Sequence, residues 1–351
     1  MKNFHNSVIF DCDKMKHPNT GLYFFCEQLA IALQKEAVRR NSEFAVFLPS
    51  RIRDIFGGEI KYRERGGLDR LWLRLPDTVK IWHAAFQMGK YFPKSGQKTV
   101  MTIHDLNFLY EKHGARKKEG LRKIQKNIDR SDYLVAISEF TKKDVLEHLD
   151  IRNKPLDVIY NGCNLYTDKA TAPRRTPDTP FLFTIGTVLP KKNFHVLPAL
   201  LVGNDYELII AGNRSIYELM ILEKARQYGV KDRVKIIGSI DESEKHWYLQ
   251  NCTAFVFPSI AEGFGLPVIE AMYYGKPIFL STHTSLPEIG GNDVYYFDPE
   301  FDPEEMQRTL AAGLGHFGKH GNPERLKKRA LGFSWENAAH AYWDIYDKMS
   351  L

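Results

Sequence analysis

Ser259-Ile260-Ala261-Glu262-Gly263-Phe264-Gly265-Leu266-Pro267-Val268-Ile269-Glu270-Ala271-Met272 is the stretch on which the reading of this chain turns. Before it runs Thr253-Ala254-Phe255-Val256-Phe257, a short apolar run rich in aromatics, which reads as a strand buried in a parallel sheet. A helix is expected after it. Pro267 suits the first helical position, Glu270 falls in the first turn, Gly275 ends the helix and Pro277 forbids its continuation. The order is therefore strand, glycine loop, helix N-terminus. Backbone N–H groups of Phe264, Gly265 and Leu266 would face a crevice at the carboxyl end of the sheet, a geometry that suits a phosphate.

Two carboxylates frame the loop. Glu262 lies in the loop itself, and Glu270 follows eight positions on. A glutamate beside a phosphate cradle is electrostatically wrong for the phosphate alone. It makes sense where it accepts hydrogen bonds from sugar hydroxyls, with Glu270 holding those of a ribose. The plainer alternative makes Glu270 a complement to the helix dipole and Glu262 a solvated loop charge. Gly263-x-Gly265 also begins a dinucleotide fingerprint, but its third position is Val268, too bulky for the close packing needed there.

Working outward, a chain of 351 residues is long for one core, and two domains are expected. Four cysteines (Cys12, Cys26, Cys163, Cys252) are scattered without metal or disulfide spacing, which favours a reducing compartment. Val8-Ile9-Phe10 before Asp11 is too short for a signal-peptide core, and no run approaches the ~20 apolar residues of a membrane span. The expectation is a cytoplasmic protein. The net charge of +6 is unevenly placed. Lys112 to Lys126 is dense in cations, and Arg51, Arg53, Lys61, Arg63 and Arg65 add to the same half. Such a patch fits anionic lipid, nucleic acid or an acidic acceptor as well as it fits a solvated helix face.

Strands are expected at Val8–Asp11, Glu43–Leu48, Val79–Trp82, Thr99–Ile103, Tyr133–Ile137 and Asp157–Tyr160 in a first half. A second set follows at Phe181–Ile185, Tyr206–Ile210, Val234–Ile237 and Pro277–Leu280. Ser138 is placed to cap a helix. Asn164 to Pro180, rich in Pro, Thr, Asp and Arg, reads as a linker. The closing helix carries an aromatic face of Trp335, Tyr342, Trp343 and Tyr346. Alternation of strands and helices in two halves implies an α/β protein of two doubly wound domains.

Set in Pro258-Ser259-x-x-Glu262-Gly263-Phe264-Gly265-Leu266-Pro267-x-x-Glu270-Ala271-Met272, the glutamate pair resembles that of the retaining glycosyltransferases of family 4. The resemblance implies the GT-B architecture, two Rossmann-like domains facing a cleft. Residues 1–165 would form an acceptor-binding domain, with helix 335–351 packing back on it, and residues 178–334 a nucleotide-sugar-binding domain. By the same resemblance His104 and Asp105 form the family's His-Asp pair, the histidine reaching the transferred sugar. Glu262 orients that sugar, and Lys191 and Lys192 neutralise the diphosphate. Gly263, Phe264, Gly265, Leu266, Glu270, Gly21, Gly186 and Ile240 complete the donor contacts. The family's Gly-x-Gly-Arg-Tyr is reduced here to Gly21-Leu22-Tyr23, and Asp11-Cys12-Asp13, which resembles the metal motif of the other large glycosyltransferase fold, reads as loop chemistry.

The reaction implied is transfer of a sugar from a nucleoside diphosphate sugar to a hydroxyl of a glycan or lipid-linked glycan, without cofactor or metal. Resemblance to bacterial surface-polysaccharide mannosyltransferases favours GDP-mannose over a UDP-hexose. It also makes the inner face of the plasma membrane a candidate partner of the basic segment. An epimerase, an NAD enzyme and a nucleic-acid-binding protein are the rival classes. The place for an NAD fingerprint holds Asp11-Cys12-Asp13, and nucleic acid would leave the second domain unexplained.

Overall fold

The computed structural model describes residues 7–18, 20–94, 96–111, 114–164, 170–173 and 176–350. Lys112 and His113 of the basic segment, and 165–169 and 174–175 of the expected linker, lie outside the described residues. Contacts divide the chain into two units, Met1–Gly162 with Phe333–Leu351, and Cys163–Gly332.

In chain order the first unit contains β1 (Ser7–Asp11), α1 (Gly21–Arg39), β2 (Glu43–Leu48), β3 (Lys61–Glu64), β4 (Ile81–Ala84), β5 (Lys98–Ile103), α2 (Phe108–Glu111), α3 (Ala115–Asp129), β6 (Tyr133–Ala136), α4 (Glu139–His148) and β7 (Leu156–Val158). The second contains β8 (Phe181–Ile185), β9 (Glu207–Ala211), α5 (Glu218–Gln227), β10 (Val234–Gly238), α6 (Glu242–Asn251), β11 (Ala254–Phe257), α7 (Leu266–Tyr273), β12 (Ile278–Leu280), α8 (Leu286–Gly290), β13 (Tyr295–Tyr296), α9 (Pro303–His320) and α10 (Pro323–Gly332). The chain then returns to the first unit as α11 (Trp335–Ser350).

Both sheets are parallel throughout. Strand order is β3-β2-β1-β4-β5-β6-β7 in the first and β10-β9-β8-β11-β12-β13 in the second. Helices cover both faces of such a sheet, so central strands such as β4, β6 and β11 are buried along their whole length and read as unbroken apolar runs. The order reverses between β1 and β4 in one sheet and between β8 and β11 in the other, and loops at the carboxyl ends diverge there to leave a crevice. The edge strand β3, Lys-Tyr-Arg-Glu, has no such run and gives no signal in the sequence. The cations in and just after it are dispersed rather than pooled: Lys61 pairs with Glu43, Arg63 binds both oxygens of Asp69, and Arg65 pairs with Asp13.

α11 belongs to the core of the first unit. Its Trp343, Tyr342 and Tyr346 are buried among Leu29, Leu33 and Ala37 of α1 and Phe10 of β1. The Trp343 indole donates to the Leu33 carbonyl at 3.0 Å. A polar chain runs through the same interior: the Tyr346 hydroxyl meets His83 Nδ1 at 2.6 Å, His83 Nε2 meets the Thr102 hydroxyl at 2.8 Å, and that hydroxyl meets Tyr342. At the rim Arg40 clamps Glu36, Asp344 and Asp347 at 2.7–2.9 Å. Gly162 and Trp335 pack so closely that a Cβ on Gly162 would stand 2.3 Å from the Trp335 nitrogen. Among the described residues no helix is long and apolar enough to cross a membrane.

Candidate active site

The opening stretch lies at the switch point of the second sheet. β11 delivers Glu262, and its neighbour β8 delivers a 3-10 turn, Pro190–Lys192, held at its end by Asn193 in the left-handed region. Lys192 Nζ contacts Glu262 Oε1 at 2.5 Å, with both side chains 14 % exposed, and the ammonium lies 5.0 Å over the Phe257 ring. The lysine stem reaches across Gly186, where a Cβ would stand 3.2 Å from Lys192 Cε. Gly212 stacks on Gly186 in turn, since a Cβ there would fall 2.1 Å from the Gly186 carbonyl oxygen. Glycine is thus dictated at two adjacent strand ends by the closeness of the loops that follow them.

Lys191 contributes through its backbone: its carbonyl accepts from the Ile260 N–H at 2.9 Å and the Ser259 hydroxyl at 3.2 Å, joining the two loops. The loop after β12 supports the glycine loop from the other side. Thr284 accepts from the Glu262 N–H at 3.0 Å, Ser285 donates to the carbonyls of Glu262 and Phe264, and Ser281 donates to that of Ser259. Sequence reasoning missed these hydroxyls, although the run Ser281-Thr282-His283-Thr284-Ser285 directly after an apolar strand is a usable signal.

Two expectations about α7 need correction. The helix starts at Leu266, so Pro267 is its second residue, because Gly265, at φ +107°, makes the turn and serves as the cap. Glu270 therefore lies beyond the first turn and has no call on the helix dipole. It faces Lys245 of α6 instead, Oε1 to Nζ at 2.7 Å. Lys245 also pairs with Glu242 at 2.7 Å and is 9 % exposed. Burial alone would lower its pKa, but the two carboxylates outweigh that and hold the ammonium above the ordinary lysine value. Nothing in the sequence links Lys245 to a glutamate 25 positions away. Ile240, half-buried, follows β10 in a loop tied by the Ser239 hydroxyl to Asn213 at 2.6 Å.

In the first unit His104 and Asp105 directly follow the end of β5. His104 is 7 % exposed and fixed on every side. Its N–H donates to Gln87 Oε1 at 3.1 Å, its carbonyl accepts from Thr141, and Phe25 meets the ring edge-on at 4.4 Å. Burial lowers its pKa to about 4, against the pull of the Ala85 carbonyl, so the ring is neutral at neutral pH. Nε2 lies 2.8 Å from that carbonyl, which can only accept, so Nε2 carries the proton and Nδ1 is left as an acceptor. Asp105 Oδ1 accepts from the Asn107 N–H at 3.0 Å, a local turn. Ser138 caps α4 through the Thr141 N–H. Gly21 is the first residue of α1, capped by Thr20, and among the described residues nothing beyond its chain neighbours and its own helix backbone lies within 4 Å of where its Cβ would be. Among the described residues no three His, Cys, Asp or Glu side chains gather in a way that could hold a metal.

Two doubly wound parallel sheets, each with its ligand loops at a switch point, make the GT-B architecture. Comparison with known proteins agrees. The model for Glycosyltransferase Family 4 matches residues 31–166 and that for Glycosyl transferases group 1 matches residues 168–315. The two matches run through both units, and the chain belongs to these glycosyltransferases. The serotype-specific mannosyltransferase WbdA of Escherichia coli is 29% identical over 282 residues, 72% of this chain and 34% of that protein. This chain therefore spans about a third of WbdA. The O-antigen chain mannosyltransferase RfbU of Salmonella typhimurium is 25% identical, over 68% of this chain and 67% of RfbU. Among solved structures, a sucrose-phosphate synthase from Thermosynechococcus elongatus superposes with a TM-score of 0.72 at 17% identity, covering 98% of both chains. The lipopolysaccharide outer core galactosyltransferase WaaB does so at 0.66 and 16%, covering 97% of this chain and 99% of WaaB. At such identities the structural likeness speaks for the fold alone.

Proposed function

We propose that the chain transfers mannose from GDP-mannose, with retention of configuration, to a hydroxyl of a glycan or lipid-linked glycan in the making of a surface polysaccharide. The observation that carries this reading is the Lys192–Glu262 pair at the switch point of the second sheet, beside the start of α7. A diphosphate entering there takes over the Lys192 ammonium and frees Glu262 to accept from hydroxyls of the sugar. As the bond from the anomeric carbon to the diphosphate breaks, its electron pair stays on the phosphate oxygen. Lys192 and the helix terminus stabilise that charge by fixed electrostatics. The acceptor oxygen bonds to the same face of the anomeric carbon, and its proton passes to the departing phosphate. No metal enters this scheme.

Glu270, held by Lys245, receives the ribose hydroxyls. His104, with Nδ1 unprotonated, offers an acceptor in the first unit and cannot serve as an acid at neutral pH. Mannose is supported by relatives named as mannosyltransferases. A panel of donors assayed for nucleoside diphosphate release, with calorimetry of GDP against UDP, tests the reading. GDP should bind more tightly and GDP-mannose should turn over in the presence of chelator. Tighter UDP binding would pass the assignment to a UDP-hexose, and stabilisation by NAD or RNA alone would end it.

A further inference from the structure

The first sheet has a switch point of its own, between β1 and β4. A cavity of about 180 Å³ opens there, between the 3-10 turn Asp13–Lys16 after β1 and the segment Phe86–Lys90 after β4. Asp11, the last residue of β1, lines it while only 5 % exposed. Its Oδ1 accepts from the Asp13 N–H at 3.0 Å, whereas Oδ2 has no hydrogen-bond partner among the described residues. Gly89 keeps the approach open: a Cβ there would meet the Phe86 carbonyl oxygen at 3.0 Å and stand 3.8 Å from Asp11 Oδ2.

The charges around the cavity do not cancel. Asp13 is fully engaged, by Lys16 at 2.6 Å and Arg65 at 2.7 Å. Lys14 lies 4.3 Å over the Phe86 ring, and neither it nor Lys90 has a carboxylate partner among the described residues. Burial pushes the Asp11 carboxyl up to about 7, so it supplies at most a partial counter-charge at neutral pH. A metal cation would have to enter against three lysines. An anion that carries no hydroxyl would face an Asp11 oxygen with nothing to donate to it. A molecule with an anionic group and a hydroxyl satisfies both ends.

We propose that this cavity is the acceptor subsite and takes an anionic sugar unit, its phosphate or carboxylate on Lys14 and Lys90 and one of its hydroxyls donating to Asp11 Oδ2. Calling it an acceptor subsite rests on the glycosyltransferase reading above; the pairing of anion and hydroxyl does not. The test is calorimetry on the whole chain at pH 7 with mannose 6-phosphate, glucuronate, mannose and inorganic phosphate as probes. At least one sugar anion should bind about 10- to 100-fold more tightly than mannose or inorganic phosphate, the range of a charge-assisted hydrogen bond. Mannose 6-phosphate or glucuronate as the tighter of the two identifies the anion as phosphate or carboxylate. Lys14→Ala with Lys90→Ala should abolish that preference while GDP affinity and the circular dichroism spectrum stay as in the parent. Asp11→Asn should lower affinity for the sugar anion more than for inorganic phosphate. Equal binding of all four probes, or a double variant with unchanged affinity, would overturn the proposal. Loss of GDP binding with sugar-anion binding intact would instead strike the donor reading and leave this one standing.

Discussion

Glu262 and Glu270 differ in kind because their lysines differ. In the proposed function Glu262 gives up Lys192 to the entering diphosphate, whereas Glu270 stays paired with Lys245. Glu262→Ala should therefore depress single-turnover transfer severely and leave GDP affinity nearly intact. Glu270→Ala and Lys245→Met should both weaken GDP, by about 1–3 kcal/mol each for a lost charge-assisted bond with its partner left unpaired. Calorimetry and rapid-quench transfer on the three variants read this out; GDP binding lost in Glu262→Ala but kept in Glu270→Ala would reverse the roles. Lys192→Ala should lower turnover by about 10²–10³-fold, as for a donor aimed at developing charge. At this scale the sequence was informative where chemistry is local. Glu262 and Lys192 stand out through their own surroundings, and the fold brings them together from 70 positions apart. Lys245 and the hydroxyls of Ser281, Thr284 and Ser285 act through contacts made only by folding, so each looks like an ordinary helix lysine or loop serine until the sheet is assembled.

Among the elements, strands were legible because parallel sheets bury them on both faces, and their ends were fixed less well. β4 runs from Ile81 to Ala84 rather than from Val79, since its register against β1 sets the start. α11 ties its stability to pH through His83. Burial, with the nearby His104 adding to it, lowers the His83 pKa from 6.5 to about 3. The unfolded chain takes up a proton below pH 6.5 that the folded chain refuses, so this contribution is whole above 6.5 and is lost as pH falls toward 3. The loss approaches about 5 kcal/mol at the lower end. His83→Gln, which can still bond Tyr346 and Thr102, should flatten the decline in denaturant stability between pH 6.5 and 4.5, and an unchanged slope would refute it. α3 buries Gly120, Ile124 and Ile128 and turns Arg116, Lys118, Arg122 and Lys126 outward. Reversing Lys118, Arg122 and Lys126 to glutamate should reduce co-sedimentation with anionic liposomes, each cation being worth about 1 kcal/mol. Salt-insensitive binding would argue against a lipid role for this face.

As a whole, the molecule is two units whose fold class follows from the alternation of strand and helix, yet the first unit is discontinuous. Its sheet and α1 come from Met1–Gly162 and its covering helix from Phe333–Leu351. A chain stopped at Gly332 should lose the first unit's cooperative transition and its near-ultraviolet signal while the second unit still binds GDP; a first unit that melts as before would contradict this. Trp343→Ala should cost about 3–5 kcal/mol by the same loss of packing. The arrangement also bears on how the protein is born. A ribosome adding ~5–20 residues per second finishes the whole second unit before it makes α11, so the nascent first unit waits on the order of ten seconds or more. Through that interval the trough that Tyr342, Trp343 and Tyr346 will fill, lined by Leu29, Leu33 and Ala37, stands open to solvent. The half made first is thus the half completed last, and a chaperone's hold on the nascent chain should be strongest before Trp335 emerges.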